Sequence, residues 1–209
     1  FAHMLYIQYV DSFQVGSSSN ESSVSVLVKS YMSQHEICFP FPGLDVDGIY
    51  RVSGNLATIQ KLRFVVNQEE KLNLDDSQWE DIHVVTGALK MFFRELPEPL
   101  FPYCFFEHFV EAIKNQDDSI RIKSIKALVQ KLPRSNYDTM KILFKHLKKI
   151  AAKESANLMS TQSLGIVFGP TLLRPEKESG SMAVHMLYQN QLVELMLSEY
   201  SKIFEAEED

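Results

Sequence analysis

The chain is poor in cysteine: of 209 residues only Cys38 and Cys104 are of this type, and neither sits in a Cys-x-x-Cys pair. That excludes a disulfide framework and favours a reducing compartment. Long apolar runs are missing as well. None approaches the roughly 20 residues that span a bilayer, and Phe1 to Val10 has neither the basic region nor the small-residue cleavage site of a signal peptide. Because the chain begins with Phe rather than Met, it reads as a piece of something longer. Positive charge is not in excess either. Against 27 Asp and Glu stand 21 Lys and Arg, a formal net charge of -6, which is opposite to the footprint of a nucleic-acid binder.

Self-contained catalytic patterns are absent too. There is no Gly-x-x-x-x-Gly-Lys-Ser/Thr, the loop that cradles nucleotide phosphates, so the chain is not expected to be an NTPase itself. It has no His-Glu-x-x-His and no Gly-x-Ser-x-Gly, and the nearest two of its six histidines, His83 and His108, lie 25 residues apart. Asp45-Val-Asp47-Gly48 has the start of a calcium loop, but Tyr50 stands where glycine is needed and Leu56 where glutamate is needed. No metal site and no cofactor of the chain's own are expected.

What is present is the balance of a globular protein, 45% hydrophobic and 23% charged, with enough length for one domain and a substantial core. Apolar residues recur at three- and four-residue intervals between proline and glycine breaks, the pattern of an all-α, single-domain bundle of about seven to nine helices. Ser17 to Ser23 is low in complexity, which makes residues 1–23 an arm. Val24, Leu27, Val28 and Tyr31 fit a first helix, with a strand as the alternative, and Cys38-Phe-Pro-Phe-Pro-Gly43 breaks it. Leu56, Ile59, Leu62, Arg63 and Val66 predict a helix capped by Ser53 or Asn55. Ser77 and Glu80 have capping-box spacing ahead of Ile82, Val85, Leu89, Phe92 and Phe93, and Leu96-Pro-Glu-Pro99 stops that helix. Pro102 suits a first helical position ahead of Phe105, Phe106, Phe109 and Ile113. Ile122 to Leu132 and Tyr137 to Ile150 mark two more helices. Ser160 is the expected cap of a short helix ended by Gly169-Pro170, and Met182 to Phe204 is helical again. The domain is expected over 24–204 and an acidic tail over 205–209.

One constellation remains. Gly43, Gly48 and Gly54 fall close together, and between the last two lies Ile49-Tyr50-Arg51-Val52-Ser53, with Arg51 its only cation. Glycines permit a projecting loop. Arg51 is then either a solvated or locally paired charge, or a guanidinium offered to another molecule's phosphates.

Three blocks narrow the choice. Gly48-Ile-Tyr-Arg51-Val-Ser-Gly54, Leu89-Lys-Met-Phe-Phe-Arg94-Glu-Leu-Pro-Glu-Pro-Leu100 and Leu164-Gly-Ile-Val-Phe-Gly-Pro-Thr-Leu-Leu173 resemble, in order and spacing, the signature segments of the RhoGAP family. The resemblance covers about Gly43 to Phe204. It implies an all-helical domain that docks on a GTP-bound Rho-family GTPase of Rac, Cdc42 or Rho type and accelerates hydrolysis, Rac-like proteins being the first guess. The chain would then be a GTPase activator rather than an enzyme, acting on GTP and Mg held by its partner. Arg51 matches the family's arginine finger. Lys90 matches a position that binds the GTPase, and Arg94 one that braces the finger loop through backbone carbonyls. Asn157 and Ser163 match two further positions, Ser163 replacing the usual Asn and Asn157 being expected to make turn or cap hydrogen bonds. Lys141, Lys145, Lys148, Lys149 and Lys153 form a basic series, either a solvated face or a landing strip for an acidic surface. The resemblance further implies a cytoplasmic protein, recruited to membranes only through regions outside this chain. A non-catalytic GTPase-binding module of the same fold is the alternative.

Overall fold

The computed structural model describes residues 43–67, 76–177 and 182–205. The expected arm, the helix from Val24, the Cys38 to Pro42 break and all but the first residue of the acidic tail lie outside them. Among the described residues there are nine α-helices and no strands: α1 (Leu56–Asn67), α2 (Ile82–Glu95), α3 (Phe106–Lys114), α4 (Asp118–Gln130), α5 (Arg134–Ala151), α6 (Glu154–Asn157), α7 (Thr161–Leu172), α8 (Met182–Ser198) and α9 (Tyr200–Phe204). The all-α expectation holds. Single 3-10 turns, Ser77–Trp79 and Tyr103–Phe105, lead into α2 and α3.

Caps explain most of the boundaries. Asn55 Oδ1 accepts from the Thr58 amide at the start of α1, and Ser160 accepts from the Ser163 amide at the start of α7. The proposed capping box at Ser77 does not form. Asp76 caps the 3-10 turn and Asp81 caps α2, because an aspartate immediately before each element competes better than a serine one turn away. The anticipated stop at Gly169-Pro170 also fails, since α7 continues to Leu172 with Pro170 inside it. Proline removes only the bond that would reach the carbonyl of Ile166, an exposed residue, where water can replace it. The Met182 to Phe204 segment is two helices, broken at Glu199 (φ -105, ψ 26).

Two apolar clusters hold the bundle. The larger is centred on the fully buried Phe93, Phe101, Phe109, Phe144 and Phe168, with Met140, Leu143, Leu147 and Ile150 of α5 projecting into it at helical spacing. The smaller joins α1 to α2 through Ile59, Leu62, Trp79, Val84 and Val85. Leu56, expected on the same inner stripe, is instead exposed, because it opens the helix before α1 reaches α2. α7 and α8 approach closely at two glycines: a Cβ on Gly165 would lie 2.7 Å from the Asn190 carbonyl oxygen, and one on Gly169 2.7 Å from the Gln189 carbonyl carbon. No helix among the described residues is long and apolar enough to cross a membrane.

Candidate functional site

The segment from Gly43 to Ser53 is a chain of tight turns rather than a free loop. Val46 N–H donates to Gly43 O, Ile49 N–H to Val46 O, and both Arg51 and Val52 N–H groups to Gly48 O. Gly48 (φ 67) occupies the left-handed region at no steric cost, whereas Tyr50 occupies it as a non-glycine residue at φ 68. That conformation costs roughly 1–3 kcal/mol and persists only where the surroundings over-determine it. Here they do.

Tyr50 is 3% exposed. Its ring packs edge-on against Phe168, centroids 5.1 Å apart, and its hydroxyl is 2.8 Å from His146 Nε2 on α5. Burial pushes the phenol well above its ordinary pKa. Its carbonyl accepts from Lys90 Nζ at 2.5 Å. Lys90 is itself only 8% exposed, and its pKa is lowered, first by burial and then by the neighbouring Arg94 charge.

A second anchor comes from α6. Asn157 is fully buried: its Nδ2 donates to Leu44 O and to Ile150 O, its Oδ1 accepts from the Met159 amide, and its carbonyl accepts from Gly48 N–H. Lys153 pairs with Asp45 at 2.9 Å. At the loop's exit Gly54 lies so close to the first turn of α2 that a Cβ would meet the His83 carbonyl carbon at 2.5 Å. The loop is thus pinned at entrance, middle and exit.

Arg51 stands out from this frame with 53% of its side chain exposed, paired with Asp47 at 3.2 Å. An exposed pair of this kind is worth about 0–1 kcal/mol, too little to hold the guanidinium against a phosphate. Exposed Val52, Leu56, Leu158 and Ile166 add apolar surface on the loop, α1, the α6 end and α7.

The contact expected of Arg94 is made by Lys90: it is Lys90 that donates to a backbone carbonyl of the loop, that of Tyr50. α2 passes beneath the loop at Lys90, and four residues later, about 6 Å along the axis, Arg94 has cleared it and is exposed. Arg94 Nε donates to Thr171 Oγ1 at 3.3 Å. Arg174 caps that end of α2, donating to Arg94 O at 2.8 Å and to Leu96 O. Ser163 is half-buried and its hydroxyl accepts from Ser160 Oγ at 3.1 Å, so it takes part in the α7 cap. In the lysine series, Lys148 bonds Ser201 and lies over the Tyr200 ring, and Lys153 is engaged with the loop.

Sequence reasoning missed Tyr50, His146, Thr171 and Arg174. His146 is 96 residues from Tyr50, and no local pattern links them. No group of three or more His, Cys, Asp or Glu that could hold a metal occurs among the described residues.

The arrangement is that of an all-helical domain carrying one exposed arginine on a loop that several helices brace. The chain belongs to the RhoGAP family: the RhoGAP domain matches residues 41–177. Over 167 residues it is 89% identical to Rho GTPase-activating protein 15 of Gallus gallus, covering 80% of this chain and 35% of that protein. It is 64% identical over 162 residues to Rho GTPase-activating protein 12 of Homo sapiens, covering 78% of this chain and 19% of that protein. The chain therefore spans about a third or less of the length of these relatives. Among solved structures it resembles human Rho GTPase activating protein 15, with 77% identity, a TM-score of 0.79, and 85% of this chain and 82% of that one covered. It also resembles the BH domain from Graf, the GTPase regulator associated with focal adhesion kinase, at 32% identity and a TM-score of 0.76, covering 90% and 98%.

Proposed function

We propose that this chain is a GTPase-activating domain that accelerates GTP hydrolysis by Rho-family small GTPases, Rac-type proteins first among them, by inserting Arg51 into the partner's nucleotide site. The observation that carries this reading is the exposed Arg51 on a loop held by Lys90, Asn157 and Tyr50. The names of the relatives, Rho GTPase-activating proteins, support it. The guanidinium neutralises charge that develops on the γ-phosphate and the leaving oxygen, while nucleotide and Mg stay bound to the GTPase. A finger of this kind is worth about 10³ to 10⁵ in rate in Ras and related systems, or about 4–7 kcal/mol of barrier. Rigidity matters because a pre-positioned cation needs no reorganisation as charge develops. Lys90, Asn157 and Ser163 keep the presenting elements in place, and Arg94, exposed at the end of α2, is free to meet the acidic surface of the GTPase. The net charge of -6 is no obstacle, since the phosphates are already held by the partner.

The test is single-turnover GTP hydrolysis by Rac-, Cdc42- and Rho-type GTPases with wild type and Arg51→Ala. The expected result is stimulation by wild type, largest for the Rac type, that the variant loses while still binding the GTP form. Stimulation by neither protein, with binding intact, would identify a binding-only module of the same fold; equal stimulation by both would remove Arg51 from the chemistry.

A further inference from the structure

Arg51 follows directly on the one residue of its loop whose backbone conformation is unfavourable. Because Tyr50 is held at φ 68, the direction in which Arg51 leaves the loop depends on whether Tyr50 stays there. Relaxation to negative φ would swing every atom that follows. The carbonyl side of Tyr50 is held by Lys90, but Lys90 is on a flexible stem and grips only the backbone. The side-chain end is held differently. Tyr50 Oη meets His146 Nε2 at 2.8 Å, the two rings stand at 80° with centroids 5.9 Å apart, and Phe168 of α7 packs edge-on against the Tyr50 ring. His146 belongs to α5, an 18-residue helix whose inner face is packed into the main core. A tyrosine held at its carbonyl and at its hydroxyl cannot rotate about its backbone without breaking a part-buried hydrogen bond and withdrawing a buried ring from its packing.

We infer that His146 is a positioning residue for the arginine finger, acting through the Tyr50 hydroxyl to keep Arg51 in its productive direction. The inference rests on the reading of Arg51 as the finger. His146 acts without touching GTP or the GTPase, and its effect is on the geometry of the bound step rather than on association. Near-attack geometry is steep: a displacement of about 1 Å can cost on the order of 100-fold in rate. A finger that is mispointed part of the time loses rate in proportion.

The experiment compares wild type, Tyr50→Phe, His146→Leu, His146→Gln and the Tyr50→Phe/His146→Leu double variant, with Arg51→Ala as reference. Two quantities are read for each: affinity for the GTPase loaded with a non-hydrolysable GTP analogue, and the hydrolysis rate at saturating activator. Tyr50→Phe keeps the ring and its packing, and His146→Gln keeps a hydrogen-bonding group of similar reach, so both remain informative if His146→Leu folds poorly. Tyr50→Phe and His146→Leu are expected to lower the saturating rate about 10- to 100-fold with affinity unchanged, and His146→Gln to recover most of the loss. The double variant should be no slower than either single one, since both break the same bond. Rates equal to wild type in Tyr50→Phe, or additive losses in the double variant, would overturn the inference. If Arg51→Ala itself stimulates as well as wild type, it is the finger assignment that fails.

Discussion

Asn157 shows how much structure one side chain can organise. Its amide satisfies two carbonyls from different segments and one amide, and its own carbonyl takes Gly48 N–H. Asn157→Ala strips the side-chain bonds and leaves Leu44 O, Ile150 O and Met159 N–H without them. A loss of about 2–3 kcal/mol of stability is expected, read by chemical denaturation; a change below about 0.5 kcal/mol would mean that water replaces the amide freely. Arg51, Lys90 and Arg94 were legible as candidates because they stand in short motifs, yet the motifs could not say which of Lys90 and Arg94 touches the loop, which depends on where α2 runs relative to it. Tyr50 and His146 were not legible at all. A hydrogen bond between positions 96 apart leaves no trace in spacing, and Tyr50 reads in the sequence as one more apolar residue.

At the level of elements, the pairing of α7 with α8 depends on absent side chains. At Gly169 an added methyl would face the Gln189 carbonyl carbon at 2.7 Å and the Asn190 nitrogen at 2.8 Å, both backbone atoms, whereas at Gly87 it would face the Ile59 Cδ1 methyl at 2.6 Å, the end of a flexible side chain. Both substitutions gain about 1 kcal/mol of helix propensity. Gly169→Ala should nonetheless be net destabilising, with an overpacking cost of about 1–3 kcal/mol, and Gly87→Ala markedly milder; equal denaturation midpoints would show that α7 and α8 can slide apart. Helix positions were legible where apolar spacing is strong, as in α5, because the 3.6-residue period is itself the packing requirement. Their ends were less so. Whether Pro170 terminates α7 depends on the exposure of Ile166, a tertiary fact, and the local competition between Asp81 and Ser77 for the start of α2 was decided by which cap lay next to the helix.

Across the whole molecule, the two apolar clusters predict two levels of stability. α1 is secured by a small cluster, while α5, α7 and α8 share the large one. Native-state hydrogen exchange should show α1 amides such as Leu62 opening at lower free energy than Leu143 or Leu147, with the Gly48 amide protected alongside the large core because its acceptor is Asn157. Simultaneous exchange of α1 and α5 would contradict this division. The anchors of the arginine loop described above also share a direction: Lys90, His146 and Asn157 all follow it in the chain, and Asn157 reaches back 113 residues to Leu44. Contacts of such sequence separation form late, after the long intervening chain has closed. During synthesis from the N-terminus, Arg51 leaves the ribosome before every one of these anchors, and more than 100 residues must follow it before the last of them, Asn157, is added.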